Sequence, residues 1–169
     1  MSTAVHPVHY RFWPEGVPHH ISVPDESLWQ GLQSRADATP DEVALDYLGS
    51  THTWRQLREA AVHLAGAIQG MGVQQGERVI LFMQNCPQFI IAVHAIWRIG
   101  AVVVPVNPMN KADELGHYIG NAQAHVAFAS SDIAPELAKA SASPEAAGAL
   151  QHLIVFDLAD ALPEEHVKQ

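Results

Sequence analysis

The amino-acid sequence predicts a layered α/β fold, a mostly parallel sheet with helices on both faces. Three observations carry that expectation. Between Asn85 and Pro108, a capped helix that is apolar on nearly every face ends at Gly100. It runs straight into the apolar strand Ala101–Val104, which Pro105 closes. A helix apolar all round has to be buried, and a continuous apolar strand has to be covered on both sides. Around this segment, short strand patterns alternate with helical periodicity across short connections, which implies right-handed crossovers between parallel strands. Finally, 48% hydrophobic against 16% charged residues in a 169-residue chain suits one globular domain with a real core.

Each element has a local reason. Residues 1–26 read as an extended Pro-rich arm, because Pro7, Pro14, Pro18 and Pro24 remove backbone donors at short intervals. Residues 27–169 then read as a single α/β unit. Ser27 with Gln30 forms a capping box that starts a helix ending before Thr39-Pro40. Val43–Leu48 is a short strand, followed by a turn at Gly49-Ser50. Thr53 and Gln56 cap the next helix, with Trp54, Leu57, Ala61, Leu64, Ala65 and Ile68 at helical spacing and Gly70 and Gly72 as its stop. Val79–Met83 is a buried strand, and the Asn85–Ile99 helix and the Ala101–Val104 strand follow. A helix over 111–122 uses Leu115, Tyr118, Ile119 and Ala122 as its inner face. His125–Ala129 is another strand, Ser131 or Asp132 caps a short helix, and His152–Phe156 closes the series.

Charge and composition exclude several functions. Nine Lys+Arg against eighteen Asp+Glu give a net charge of −9, so a basic stripe for nucleic acid or an anionic membrane is absent. The lone cysteine, Cys86, leaves no internal disulfide and no cysteine metal cluster. No stretch has the length of a transmembrane segment, and the start carries no apolar signal region; a cytoplasmic protein is expected.

Ligands of open parallel sheets gather beyond the carboxyl ends of the strands. Here those loops are Gln84-Asn85-Cys86, Asn107-Pro108-Met109-Asn110 and Ser130-Ser131-Asp132. All are polar, and none holds a catalytic set or the Gly-rich, Lys-bearing cradle that phosphate needs. Gly70, Gly72 and Gly76 superficially resemble a dinucleotide fingerprint, but they lie between a helix end and a strand, where a C-cap and turn explain them. The eleven histidines include His6, His9, His19 and His20 in or near the arm, and His63, His94 and His117 on three different helices; no metal set emerges. Cys86 begins a buried helix with no base nearby and reads as structural. Trp54 and Trp97 read as core, and Asp113 and Glu114 as charges favoured by a helix start. No catalytic, cofactor-binding or metal-ligating residue is assigned.

Several stretches, in order, carry a family resemblance. They are Trp13-Pro14-Glu15-Gly16-Val17-Pro18; Thr39-Pro40-Asp41 with Val43-Ala44-Leu45; and Thr53-Trp54-Arg55-Gln56-Leu57. Next come Gly72-Val73 with Gly76-Glu77-Arg78-Val79; Asn85, Pro87 and Phe89; and Trp97-Arg98-Ile99-Gly100-Ala101 through Pro105-Val106-Asn107-Pro108. From about Trp13 to Phe156 the chain resembles the N-terminal part of the AMP-forming acyl-CoA synthetases, long-chain fatty-acid–CoA ligases above all. Their superfamily also includes peptide-synthetase adenylation domains and luciferases.

The resemblance implies a parent ligase that uses ATP, Mg²⁺ and CoA. A fatty carboxylate attacks the α-phosphate of Mg-ATP to give an acyl-adenylate, and the CoA thiolate then displaces AMP. The family's phosphate loop, adenine-binding segments and C-terminal catalytic lysine would all follow Gln169. The chain is therefore expected to be an N-terminal subdomain, incomplete relative to the full domain, binding none of these groups and inactive alone. An apolar face or strand edge should then be exposed or paired in a homo-oligomer. The alternatives are a stand-alone, non-catalytic binding or assembly module, and the N-terminal segment of an aryl-CoA ligase or peptide-synthetase adenylation domain.

Overall fold

A computed structural model describes residues 8–163. His6, Pro7 and everything after Pro163 lie outside the described residues. The segment expected to be extended opens instead with a 3₁₀ turn, Val8–Phe12. The turn closes on itself: Tyr10 stacks on His19, and the Trp13 indole N–H donates to the Val17 carbonyl at 3.0 Å.

Helix α1 (Leu28–Ala38) starts at the expected capping box. The Ser27 hydroxyl accepts from the Gln30 amide, and the Gln30 side chain accepts from the Ser27 amide. Strands β1 (Val43–Tyr47) and β2 (Ser50–Thr53) form a separate antiparallel hairpin. The sequence shows only a turn there. Leu48 and Gly49 both take positive φ, 53° and 88°, in a two-residue loop held by Asp46, which accepts from the Gly49 amide. Leucine is a poor advertisement for that geometry, so β2 was not legible.

Thr53 and Gln56 cap α2 (Trp54–Gly70) reciprocally. Gly70 stays helical, and Gly72, at φ 92°, makes the left-handed exit. Then follow β3 (Arg78–Phe82), α3 (Pro87–Arg98), β4 (Val102–Val106), α4 (Ala112–Ala122), β5 (Val126–Ser130), α5 (Ala134–Ser141) and β6 (His152–Phe156). The four later strands form one parallel sheet in the order β4-β3-β5-β6.

Alternation along the strands divides the core. Val79, Leu81, Val126 and Phe128 pack towards α2 and α3, while Ile80, Phe82, Ala127 and Ala129 pack towards α4 and α5. A third cluster, around Trp29, Leu32, Leu57 and Ala61, joins α1 to α2.

Four expectations need correcting. The helix expected over Asn85–Ile99 is shorter, α3 running from Pro87 to Arg98: Cys86 is the N-cap, without a side-chain bond, and Pro87 starts the helix because a first-turn proline sacrifices no bonded donor. The helix is otherwise as buried as its sequence demands, with no residue from Pro87 to Trp97 exposed. Strand β4 is not covered on both sides. It is an edge strand, with Val102 45% exposed, and it tolerates Pro105 because an edge does not need every ladder donor. On α4 the exposed Tyr118 gives up its inner-face place to Gly116, because the 3₁₀ turn Pro144–Ala146 packs against the glycines at 116 and 120. Helix α5 is capped at Ile133 with no side-chain bond; Ser131 instead approaches Asp157, at 3.4 Å between Oγ and Oδ2.

The tryptophans also differ from expectation. Trp54 and Trp97 are half-buried, and the buried one is Trp29, with the Arg98 guanidinium 4.7 Å above its ring.

Candidate functional site

Strand order locates the candidate site. Helix α3 carries the chain from β3 to β4 on one face, whereas α4 and α5 carry it the other way on the opposite face. The connection reverses between β3 and β5, and in open α/β sheets ligands bind in the crevice beyond the carboxyl ends of the strands at such a switch point. Met83, Gln84, Asn85 and Cys86 leave β3 there, and Ser130, Ser131 and Asp132 leave β5. Asp157, directly after β6, borders the same end.

The loops are tied mainly to themselves and to the backbone. The Ser131 amide donates to the Phe156 carbonyl at 2.8 Å, and the Gln88 side-chain amide donates to the Asp157 carbonyl at 3.3 Å. Asp157 accepts from the Ala159 amide. Beyond β4, Asn107 accepts from the Met109 amide, and Asn110 reaches the Tyr118 hydroxyl at 3.4 Å. Of these participants, Gln88, Tyr118 and Asp157 were missed in the sequence. An aspartate immediately after a strand was the one available signal.

Between α2, α3, β5 and β6 lies an apolar cavity of about 190 Å³, lined by Leu64, Met83, Gln88, Ile91, Ala92, Phe128, Ile154 and Phe156. Gln88 Oε1 and Ser130 Oγ are buried with no hydrogen-bond partner. An unpartnered buried group of this kind costs about 1–3 kcal/mol; Ser130 does not line the cavity, and a third such atom, His52 Nε2, lies on β2.

A second apolar cavity of about 220 Å³ lies between the β1–β2 hairpin and the start of α3, lined by Leu45, Tyr47, Cys86, Pro87, Phe89 and Ile90 among others. Burial pushes the Cys86 thiol above its ordinary range, outweighing the Phe89 and Gln88 amides that favour the thiolate. An unactivated thiol is not a nucleophile at neutral pH.

The remaining candidates are structural. His94 Nδ1 lies 2.8 Å from the Ile90 carbonyl, and its ring packs edge-on against Trp97. Glu114 accepts from the Lys111 amide and Glu136 from the Ala112 amide, so two carboxylates hold the start of α4. Gly76 and Gly100 form the turn beneath the sheet, joined by Gly76 N–H to Gly100 C=O at 2.9 Å. Among the described residues no group of three His, Cys, Asp or Glu is placed to hold a metal ion.

Comparison with known proteins decides the family. The model of the AMP-binding enzyme family matches residues 32–169. This chain belongs to that family.

The chain is similar to the long-chain-fatty-acid–CoA ligase of Salmonella typhimurium, at 32% identity over 153 residues, which is 89% of this chain and 26% of the relative. It is also 32% identical over 114 residues to the long-chain-fatty-acid–CoA ligase of Bacillus subtilis, covering 68% of this chain and 20% of that protein. The chain thus spans about a quarter or less of the curated relatives it matches. In fold it resembles a fatty acyl-CoA synthetase from Mycobacterium tuberculosis, with a TM-score of 0.71 at 24% identity over 79% of this chain and 27% of that one.

Proposed function

We propose that this chain is the N-terminal scaffold segment of an AMP-forming fatty-acid–CoA ligase, whose parent converts fatty acid, ATP and CoA to acyl-CoA, AMP and pyrophosphate. The observation that carries the reading is the 32% identity to long-chain-fatty-acid–CoA ligases sustained across 89% of the chain. ATP, Mg²⁺ and CoA do not fit the described residues. The strand-end loops carry a single lysine, Lys111 just before α4, and no run of glycines, and among the described residues no group of three His, Cys, Asp or Glu is placed to hold a metal ion. The chemistry therefore belongs to other segments of the parent. The role of this chain is to build the sheet against which those segments pack.

Three further parts of the reading follow. The body from residue 27 onward is one incomplete unit of a larger domain. The parent is cytoplasmic; among the described residues, no helix is long and apolar enough to cross a membrane. The open edge of β4, beside the apolar groove of Phe89, Val93, Trp97, Val102, Val103 and Pro105, pairs with further chain or, in isolation, with a second copy to give a homo-oligomer.

The test compares purified residues 1–169 with the native gene product, whose intact mass is measured first. Acyl-CoA formation from long-chain fatty acid is expected from the native product and not from 1–169. Turnover by 1–169 alone would overturn the scaffold reading. A native product that activates aryl or amino acids but not fatty acids would overturn the substrate class. The absence of any catalytic set in the strand-end loops also favours a non-catalytic binding or assembly module, which a native mass of 18.4 kDa would support.

A further inference from the structure

Both outer strands of the four-stranded sheet are open among the described residues, and their backbones differ. In β4 the Val102 amide donates to the Glu77 carbonyl, so Val102, Val104 and Val106 turn their backbone groups to β3, and residues 103 and 105 turn theirs outward. Pro105 has no N–H, which leaves that edge one donor, at Val103. In β6 the His152 amide donates to the His125 carbonyl, and the Phe156 carbonyl accepts from the Ser131 amide. His152, Ile154 and Phe156 therefore serve β5, while Leu153 and Val155 each present an N–H and a C=O outward. Open strands are ordinarily protected by proline, lysine or inward-pointing charges, and β4 follows that rule. Strand β6 does not: His152-Leu153-Ile154-Val155-Phe156 holds no proline, lysine, arginine, aspartate or glutamate, and Val155 is half exposed.

We infer that β6 is a self-association edge, on which a second copy of this chain lies antiparallel about a two-fold axis through Ile154. In that register Leu153 stands opposite the partner's Val155, and Val155 opposite the partner's Leu153. Each such pair exchanges two N–H···O=C bonds, so the four bonds use every outward group of both strands. No two-fold pairing of β4 makes more than two, because Pro105 donates none. Ile154 meets the partner's Ile154 at the closer, non-hydrogen-bonded spacing, a contact of two β-branched side chains on the face that carries α2 and α3. On the other face Val155 comes beside the partner's Leu153, in line with the core under α4 and α5. A foreign strand would make the same backbone bonds; a second copy also matches them with apolar side chains at every position from 153 to 155. No carboxylate lies in the strand, in a chain whose net charge of −9 otherwise keeps its copies apart. A two-fold contact closes after two copies, so the product is a dimer. This ranks the two open edges within the homo-oligomer reading on which it rests: a second copy takes β6 ahead of β4.

The test is sedimentation velocity of the 169-residue chain over a wide concentration range, at low and at high salt. A monomer–dimer equilibrium is expected, tightening with salt as the repulsion between two chains of charge −9 is screened. Val155→Pro gives β6 the pattern that β4 already has, removing an outward donor without touching the ladder to β5. It should weaken the dimer about tenfold or more, for the loss of two bonds in four. Pro105→Val supplies the donor that β4 lacks and should carry association beyond the dimer, because a sheet with two self-pairing edges does not close. Val103→Pro removes the last outward donor of β4 and should leave the dimer unchanged. A chain that stays monomeric up to about 1 mM overturns this inference and the homo-oligomer reading together. A dimer that survives Val155→Pro overturns this inference alone, and its loss in Val103→Pro would place the copy on β4 instead. Should Val155→Pro fail to fold, hydrogen exchange in the unmodified chain decides: exchange at the Leu153 and Val155 amides should slow as concentration rises while Val103 stays fast, and the converse overturns the assignment.

Discussion

Adding one methyl group at Gly120 should act against its usual sign. In an exposed helix interior, Gly→Ala is stabilising by about 1 kcal/mol, because alanine gives up less backbone freedom. Gly120 lies on α4 where the turn at Pro144–Ala146 crosses it. A Cβ there would overlap the Glu145 carbonyl oxygen, with the carbonyl carbon at 3.1 Å and Ala146 Cα at 3.7 Å. These are backbone atoms and cannot swing aside, so α4 or the turn must move, and overpacking of this kind costs about 1–3 kcal/mol. Taking the upper part of that range against the propensity gain leaves a net loss of about 2 kcal/mol for Gly120→Ala. That corresponds to melting about 4–8 °C lower in a chain of this size. Gly66 supplies the control, since it sits inside α2 and a Cβ added there would meet nothing within 4 Å. Gly66→Ala should gain about 1 kcal/mol and melt about 2–4 °C higher. Urea unfolding followed by circular dichroism at constant slope measures both. If Gly120→Ala is as stable as Gly66→Ala, the close approach of α4 to the turn is not what places a glycine there.

Thr53→Ala removes one half of a reciprocal cap whose other half, Gln56, stays behind, and should cost about 1 kcal/mol in the same urea assay. Arg98→Ala should cost about 1 kcal/mol by removing the guanidinium from the buried Trp29 face, and Arg98→Lys should recover only part of that. Cys86 gives a pH dependence of definite sign. Its folded thiol ionises above the ordinary value of 9.0, so it contributes no pH dependence below that value. Above it the unfolded chain loses a proton that the folded chain keeps, so stability falls as pH rises from 9.0 towards the folded pKa. Cys86→Ala should flatten that alkaline decline relative to the unmodified chain, and an equal decline in both would assign it to other groups.

The parts of the fold that were legible in the sequence are those decided within one turn of chain. The Ser27–Gln30 and Thr53–Gln56 boxes each need only residues three apart, and both form. The hairpin was illegible because its turn puts Leu48, rather than Asn or Asp, at positive φ. The open edge of β4 was illegible for a different reason: an apolar run such as Val102–Val106 announces burial, but which strand ends a sheet depends on the order of strands, and that is a property of the whole chain. The same limit hid the candidate site. Gln88 and Ser130 are ordinary polar residues at the ends of ordinary elements, and they become orphans only when β3, β5, β6 and α3 are brought together.

Strand order nevertheless left a trace in the helices. Helix α3 packs against α2 and α1 as well as against β3 and β4, so it has protein on nearly every side and is apolar nearly all round. Helix α4 meets its neighbours along a narrow stripe of Ala112, Leu115, Gly116 and Ile119 and keeps Asp113, His117 and Tyr118 in solvent. A sheet with one crowded face and one single-layered face requires crossovers of both directions, because right-handed connections place helices on opposite faces only when the chain reverses along the sheet. The contrast between an all-round apolar helix and the one-sided helix after it therefore implies a reversal beside the first strand. That reversal is the switch point between β3 and β5, where Ser130 ends β5 and Met83 leaves β3.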